Sequence, residues 1–232
     1  MLRRNFIGLF IAIAIVFVTG TSGLAAGGTI TGKVGLTGEA PPPKKLAIAK
    51  DPAVCGTEKM LGEVQLSPDK GVLYAVVRLI GAKGAAPAPP GNAVIDQKGC
   101  LFNPTVVVVP KGGSLDITNS DGILHNVHTH STVNRPFNRS QPGFVKKITQ
   151  KYDRPETFRL TCDVHSWMLG WVVVAEEPFV AVTDGSGTFQ LADVPAGTYK
   201  LEVWHPALGN QTKDVTVADG AEAKVNFELA VK

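Results

Sequence analysis

Three side chains with metal-binding donors lie close together in the C-terminal third of the chain. Cys162, His165 and Met168 offer a thiolate, an imidazole and a thioether at intervals of three residues. The apolar run at 170–174 follows directly and predicts a β-strand. A short loop that leads into this strand can turn all three donors toward one point. Cys, His and a weak Met ligand, completed by a second His, form the donor set that selects copper and tunes it for electron transfer.

The second histidine has to come from elsewhere in the chain, and the segment 124–132 offers His125, His128 and His130. In an extended strand, His128 and His130 share one face, whereas His125 points to the opposite face. The three imidazoles therefore cannot all serve one ion. For His128 and His130, simple exposure to solvent and a weak second metal site both stay open.

The composition predicts an all-β protein with many turns. Glycine (25 residues) and proline (16 residues) are abundant, and no segment carries a long apolar period of 3.6 residues. Short apolar runs follow one another closely between 93 and 175, which is typical of a β-sandwich. The sequence has no interpretable Ser/His/Asp set, no Gly-rich phosphate loop and no motif of paired carboxylates, so we do not expect an enzyme.

The N-terminus predicts export. Arg3 and Arg4 precede an apolar run at 6–18, and small residues follow at 23–26, as in a signal peptide over 1–26. The expected location is the periplasm or the exterior. An uncleaved anchor is the alternative, and only then would a membrane be a partner.

Loss of the two arginines lowers the formal net charge from +3 to +1, and nothing in that charge suggests a nucleic-acid partner.

The three cysteines are Cys55, Cys100 and Cys162. In an oxidising compartment an odd count leaves one thiol unpaired or reserved for a metal. If Cys162 is a copper ligand, Cys55 and Cys100 are left to form a disulfide. The competing arrangement pairs Cys100 with Cys162 and leaves no thiolate for a metal.

Three separated motifs resemble the cupredoxin family, which includes plastocyanin and amicyanin. The spacing Cys-x2-His-x2-Met, followed by x-Gly-x-Val-x-Val, is similar to the ligand loop of amicyanin. The segment 124–128 resembles the family's first-histidine segment. The segment 100–104, followed by a Val-rich run and Lys-Gly-Gly at 111–113, resembles its early Phe-x-Pro strand. The motifs follow the family's order and cover roughly residues 93–175.

The resemblance implies a Greek-key β-sandwich that holds one copper ion cycling between Cu(II) and Cu(I). The ligands it implies are His125, Cys162, His165 and Met168. It also implies that Asn126 ties the two ligand loops together by hydrogen bonds. The sequence departs from the family at Asp163, since plastocyanin-like proteins usually carry Ser or Thr beside the ligand cysteine, and this neighbour affects the hydrogen bonding of the thiolate.

The aromatic residues near these motifs carry further expectations. Trp167 and Trp171 are expected first of all to pack. Trp167 would lie beside an exposed edge of the His165 ring, where electrons leave. Trp204 and His205 could abut the copper face, although an ordinary surface position is the favoured expectation for His205.

A second resemblance covers the C-terminal part. The segments 183–189 and 195–199 resemble the carboxypeptidase regulatory-like (transthyretin-like) β-sandwich, whose first strand resembles 28–34 at the other end of this chain. We therefore expect the cupredoxin domain, at 91–177, to be inserted into a regulatory-like sandwich made of 28–90 and 178–232. A serial order of three units is the alternative.

These observations favour an exported type 1 (blue) copper protein that exchanges single electrons with a redox protein partner. One alternative is a copper-handling protein, either a chaperone or a storage module. Another is a non-redox module that binds a carbohydrate surface or a protein.

Overall fold

The computed structural model describes residues 27–84 and 91–231. The predicted signal peptide and most of the Pro-rich stretch at 84–91 lie outside these ranges. Among the described residues, no helix has the length and apolar character needed to cross a bilayer. The all-β prediction is confirmed, because strands make up nearly all of the regular structure.

The elements follow one another as nineteen strands and one helix within the described residues. The first part of the chain contains β1 (Gly28–Thr37), β2 (Lys44–Ala47), α1 (Pro52–Cys55), β3 (Glu58–Leu61) and β4 (Val76–Ile80). The middle part contains β5 (Ala93–Gln97), β6 (Phe102–Asn103), β7 (Val106–Pro110), β8 (Ser114–Asn119), β9 (His125–Thr129), β10 (Asn138–Gln141), β11 (Lys147–Lys151), β12 (Glu156–Thr161) and β13 (Leu169–Ala175). The last part contains β14 (Val180–Val182), β15 (Thr188–Val194), β16 (Gly197–His205), β17 (Gly209–Val217), β18 (Glu222–Lys224) and β19 (Phe227–Ala230).

Strands β5 to β13 form a two-sheet sandwich, here called the central sandwich. One sheet has the order β10-β9-β12-β13-β7 and the other β11-β8-β5-β6. The alternation of buried and exposed residues along β8 and β12 directs one face of each strand inward, as period-2 patterning requires. Ile95, Leu115, Ile117, Val127 and Leu160 are fully buried between the sheets. This apolar core fixes the register of the strands that carry the predicted ligands.

The remaining long strands form a second sandwich, here called the flanking sandwich. In one of its sheets β1 pairs with β15, β18 and β19, and the other sheet has the order β14-β4-β16-β17. Since β1 and β4 precede the central sandwich in sequence and β14 to β19 follow it, the chain leaves the flanking sandwich, builds the central one and returns.

An apolar cluster joins the two sandwiches. Val106 and Val173 of the central sandwich pack with Val76 of the flanking one, and the rings of Trp171 and Trp204 meet edge to face with centroids 5.7 Å apart. Trp171 thus has the packing role expected of it. The cluster covers the β7–β13 side of the five-stranded sheet.

Residues 44–61, here called the cap segment, belong to neither sheet of the flanking sandwich. They comprise the hairpin of β2 and β3 with α1 between the strands, and Ile48 and Cys55 are buried in the core of the central sandwich. Lys59 Nζ donates a hydrogen bond to the carbonyl of Gly99 at 2.6 Å. Although these residues fall within the 28–90 part of the predicted regulatory-like sandwich, they pack against the central sandwich.

Candidate metal centre

The four predicted ligands lie at one end of the central sandwich. His125 is the first residue of β9, Cys162 directly follows β12, and His165 and Met168 lie in the loop before β13. All four side chains are buried, with relative exposure of 2% or less. The strands therefore bring a donor from β9 and three donors from the β12–β13 loop to the same end of the core.

Three donor atoms converge. The Nδ1 atoms of His125 and His165 lie 2.9 Å apart, and Cys162 Sγ lies 3.9 Å from the first and 3.8 Å from the second. Donors about 2.0–2.3 Å from one ion lie about 3–4 Å from each other. The three atoms are therefore spaced as ligands of a single ion.

Met168 lies in the same apolar core as Cys162. Its backbone N–H donates a hydrogen bond to the carbonyl of His165 at 2.9 Å, which closes a tight turn between the two. The turn keeps the thioether on the buried side of the loop, since Met168 is fully buried.

Each imidazole is held through its other nitrogen by a carboxylate. His125 Nε2 lies 2.9 Å from Asp121 Oδ2, and His165 Nε2 lies 2.9 Å from Asp51 Oδ2. A carboxylate favours the tautomer with the proton on Nε2, which leaves the Nδ1 lone pair directed at the cluster. Burial lowers the pKa of His125, against the opposing effect of the Asp121 hydrogen bond, so this imidazole is neutral and able to bind a metal at pH 7.

Sequence reasoning did not identify either carboxylate as part of the site. Asp51 precedes Pro52, a pair that by itself signals only a turn, and it occupies the N-cap position of α1. Asp121 lies four residues before His125, a spacing that has no fixed meaning outside a helix. Each predicted histidine has an acidic residue near it in space, but only the fold shows this.

A disulfide connects the cap segment to the site. Cys55 and Cys100 are bonded, and Cys162 is the free cysteine. The N–H of Cys100 donates to Asp121 Oδ2 at 2.8 Å, and its carbonyl accepts from Trp167 Nε1 at 3.0 Å. Cys100 therefore holds both the carboxylate that orients His125 and the indole beside His165.

The expectation of an exposed His165 edge is wrong. The ring is fully buried because Asp51 of the cap segment contacts its outer nitrogen and Cys55 lies within reach of the same ring. Trp167 does lie beside the imidazole, with ring centroids 5.2 Å apart, but the edge it accompanies is not open to solvent.

Asn126 links the two ligand-bearing segments. Its backbone N–H points at Cys162 Sγ at 3.4 Å, its Oδ1 accepts from the N–H of Asp163, and its Nδ2 donates to Asp163 Oδ2 at 3.2 Å. The side chain of Asp163 is exposed, and hydrogen bonds from Asn138, His128 and Asn126 lower its pKa. The donor to the sulfur is thus a backbone amide, whereas the Asp163 carboxylate faces the surface.

The remaining histidines lie outside the cluster. His128 and His130 stack on the opposite face of β9, with ring centroids 4.4 Å apart. His205 belongs to the flanking sandwich and is 3% exposed, so the expectation of a surface position is wrong. The register of β16 against β4 and β17 directs His205 into that sandwich, while Trp204 points at the central one.

Comparisons with known proteins give one family-model match and several similar solved structures. Residues 170–230 match the family model of the carboxypeptidase regulatory-like domain. The match begins within β13 and extends to the end of β19. Comparison with curated proteins finds no match.

Several solved structures are similar to this chain over part of its length. A copper-containing nitrite reductase from Thermus scotoductus SA-01 matches with 22% identity and a TM-score of 0.35, over 41% of this chain and 25% of the reductase. A purple cupredoxin from Nitrosopumilus maritimus matches with 18% identity and a TM-score of 0.31, over 36% of this chain and 100% of the cupredoxin. An oxidised amicyanin variant matches with 20% identity and a TM-score of 0.33, over 43% of this chain and 98% of amicyanin. The chain spans about a quarter of the nitrite reductase that it matches.

Proposed function

We propose that this protein is an exported type 1 copper protein that transfers single electrons to or from a redox protein partner. The observation that carries the proposal is the convergence of two imidazole nitrogens and a free thiol within 4 Å of each other in a buried site. The thiolate and the thioether are soft donors and the imidazoles are borderline donors, a combination that suits copper in either oxidation state.

The residues present fit a copper ion. His125, Cys162 and His165 would bind it as the main ligands, and the thioether of Met168 would supply a weaker fourth ligand. When bound, copper supplies a one-electron couple between Cu(II) and Cu(I). Asp121 and Asp51 hold the imidazoles in orientation, which limits the rearrangement that a change of oxidation state would otherwise cause.

Burial of the cluster favours a resident redox ion over exchangeable cargo. The cap segment covers His165, the disulfide fastens the cap segment to Cys100, and the apolar core of the central sandwich lies beneath. A chaperone has to surrender its ion to another protein and therefore needs an accessible ligand. In this site each predicted ligand is shielded from solvent.

The test is a visible and EPR spectrum of the mature protein after addition of one equivalent of Cu(II). We expect an intense visible thiolate-to-copper band and a narrow copper hyperfine splitting, followed by reversible loss of the colour on reduction. Cys162→Ser is the matched control, because the other two cysteines are in the disulfide and no second thiol can produce the band. A colourless wild-type protein with an ordinary Cu(II) spectrum would contradict the proposal.

A reversible one-electron couple separates electron transfer from copper handling. If the blue protein is reduced and reoxidised repeatedly without loss of copper to a competing chelator, the ion is a resident cofactor. Copper that moves to the chelator as fast as it is reduced would instead support a handling role.

A further inference from the structure

Two histidines that the proposed copper centre does not use form a pair on the surface. His128 and His130 lie two residues apart on and just after β9, so they share the outer face of the five-stranded sheet. Their rings stack with centroids 4.4 Å apart and planes inclined by 26°. The apolar cluster with the flanking sandwich covers only the β7–β13 side of this face, and His128 keeps 35% of its side chain exposed.

Each ring is fixed through one nitrogen. His128 Nδ1 lies 3.1 Å from Asp163 Oδ1, and His130 Nε2 lies 2.7 Å from Thr161 Oγ1. These contacts leave His128 Nε2 and His130 Nδ1 without a hydrogen-bond partner among the described residues. Two imidazoles whose orientation is already set lose little side-chain freedom on binding a common ion.

The surroundings keep the pair able to bind a metal. The pKa of His130 is lowered, first by burial and then by the electrostatic influence of His128 and of Arg159, while Asp163 opposes this shift. The ring of His130 is therefore neutral at pH 7, and its lone pair is available. The Asp163 carboxylate beside His128 offsets part of the positive charge that an ion would bring.

We propose that His128 and His130 form a second metal site that binds one divalent transition-metal ion, Cu(II) or Zn(II). The ligand atoms are His128 Nε2 and His130 Nδ1, and water completes the coordination of the ion. Imidazole nitrogens suit both metals, and Cu(II) binds such sites more tightly than Zn(II). The site uses none of the ligands of the buried centre.

The experiment is a titration with Zn(II), a metal that gives no colour and no change of oxidation state. Mature protein carrying one equivalent of Cu(I) is titrated with Zn(II) while imidazole NMR follows all five histidines. We expect the resonances of His128 and His130 to shift together with a single midpoint, and those of His205 to stay in place. Because Cu(I) is diamagnetic, the imidazoles stay visible in the spectrum.

Variants decide whether the two rings act as a chelate. His130→Gln leaves a single imidazole and should weaken Zn(II) binding by about tenfold or more. Arg159→Gln removes a positive charge from the same face and should strengthen it by about two- to fivefold. Arg139→Gln is the matched control, because Arg139 pairs with Val127 and so belongs to the opposite face of the sheet.

The proposal is overturned if Zn(II) shifts neither ring, or if His130→Gln binds it as tightly as the wild type. Equal effects of Arg159→Gln and Arg139→Gln would also overturn it, since they would indicate binding that depends only on overall charge. The outcome is independent of the copper proposal: if the protein takes up no Cu(I), the same titration is performed on the metal-free Cys162→Ala variant.

Discussion

The central and flanking sandwiches both bury histidine, but in very different surroundings. The Nε2 atoms of His125 and His165 each contact a carboxylate, and the Nδ1 atoms of both rings lie near Cys162 Sγ. His205, by contrast, only accepts a hydrogen bond from the N–H of Ala207 at 3.2 Å, and burial alone lowers its pKa to about 4. A buried imidazole is suited to bind a metal when other donors converge on it and its second nitrogen is held. Without them it is a packing residue that weakens the fold at low pH.

Among the changes that would distinguish the two sandwiches, removal of the disulfide between the cap segment and the central sandwich should have the largest effect on stability. Cys55 and Cys100 are 45 residues apart, and a crosslink over a loop of that length stabilises by about 4 kcal/mol on the loop-entropy estimate. The Cys55→Ser/Cys100→Ser variant should lose about that free energy of unfolding in a urea titration. It should also release bound metal to a chelator faster, because the cap segment covers His165.

The control for this prediction is the unfolding of the flanking sandwich, which contains neither cysteine. If its transition is resolved from that of the central sandwich, it should keep its midpoint. A double variant that unfolds at the wild-type urea concentration would show that the apolar contacts of Ile48 and its neighbours hold the cap segment without the crosslink.

The lone histidine of the flanking sandwich predicts a pH dependence. The pKa of His205 is about 4 in the folded state and about 6.5 in the unfolded chain. The unfolded state therefore binds more protons between these values, so the stability is fully present above pH 6.5 and falls as the pH drops toward 4. His205 should account for a loss of about 3 kcal/mol over that range.

His205→Gln tests this assignment. The free energy of unfolding of the variant, measured by urea titration at several pH values, should change less between pH 7 and pH 4 than that of the wild type. The difference between the two curves isolates the contribution of this residue from those of other groups. Parallel curves would show that His205 is not responsible.

The parts of the fold that depend on local pattern could be predicted from the sequence. The many glycines and prolines, the lack of a long 3.6-residue apolar period and the closely spaced short apolar runs predicted the all-β class. The Val-rich run that follows 104 forms β7, and the apolar run at 170–174 lies within β13. Strand alternation also predicted that His125 lies on the opposite face of its strand from His128 and His130. This holds because neighbouring side chains of a strand point to opposite faces whatever the strand pairs with.

The rest of the site could not be predicted because it depends on long-range packing. Asp51 is 114 residues from His165 in sequence, and the contact exists only because the cap segment crosses from the flanking to the central sandwich. The same crossing buries the His165 edge that was expected to be exposed. No local signal marks where a loop of one sandwich will lie on another.

Asp121 and Asp51, the carboxylates that contact the two buried histidines of the central sandwich, should affect copper affinity to different extents. Asp121 is almost completely buried, with its side chain 5% exposed, and it accepts hydrogen bonds from the N–H groups of Gly99 and Cys100. Asp121→Asn should lower copper affinity by about 10- to 100-fold, the usual consequence of losing a buried partner of a histidine ligand. Competition with a chelator of known affinity measures the change. Asp153→Asn is the control. The side chain of Asp153 is exposed, so the copper affinity of this variant should equal that of the wild type.

Asp51 should have the smaller effect of the two. Its side chain is 36% exposed, so water can replace part of what it contributes to His165, and the expected loss of copper affinity for Asp51→Asn is about fivefold or less. Asp51→Ala removes the acceptor as well as the charge and should lose more than Asp51→Asn, because the amide oxygen can still accept from His165 Nε2. If Asp51→Asn instead costs as much as Asp121→Asn, the negative charge on the cap segment stabilises the bound ion directly, and the cap segment is part of the centre rather than its cover.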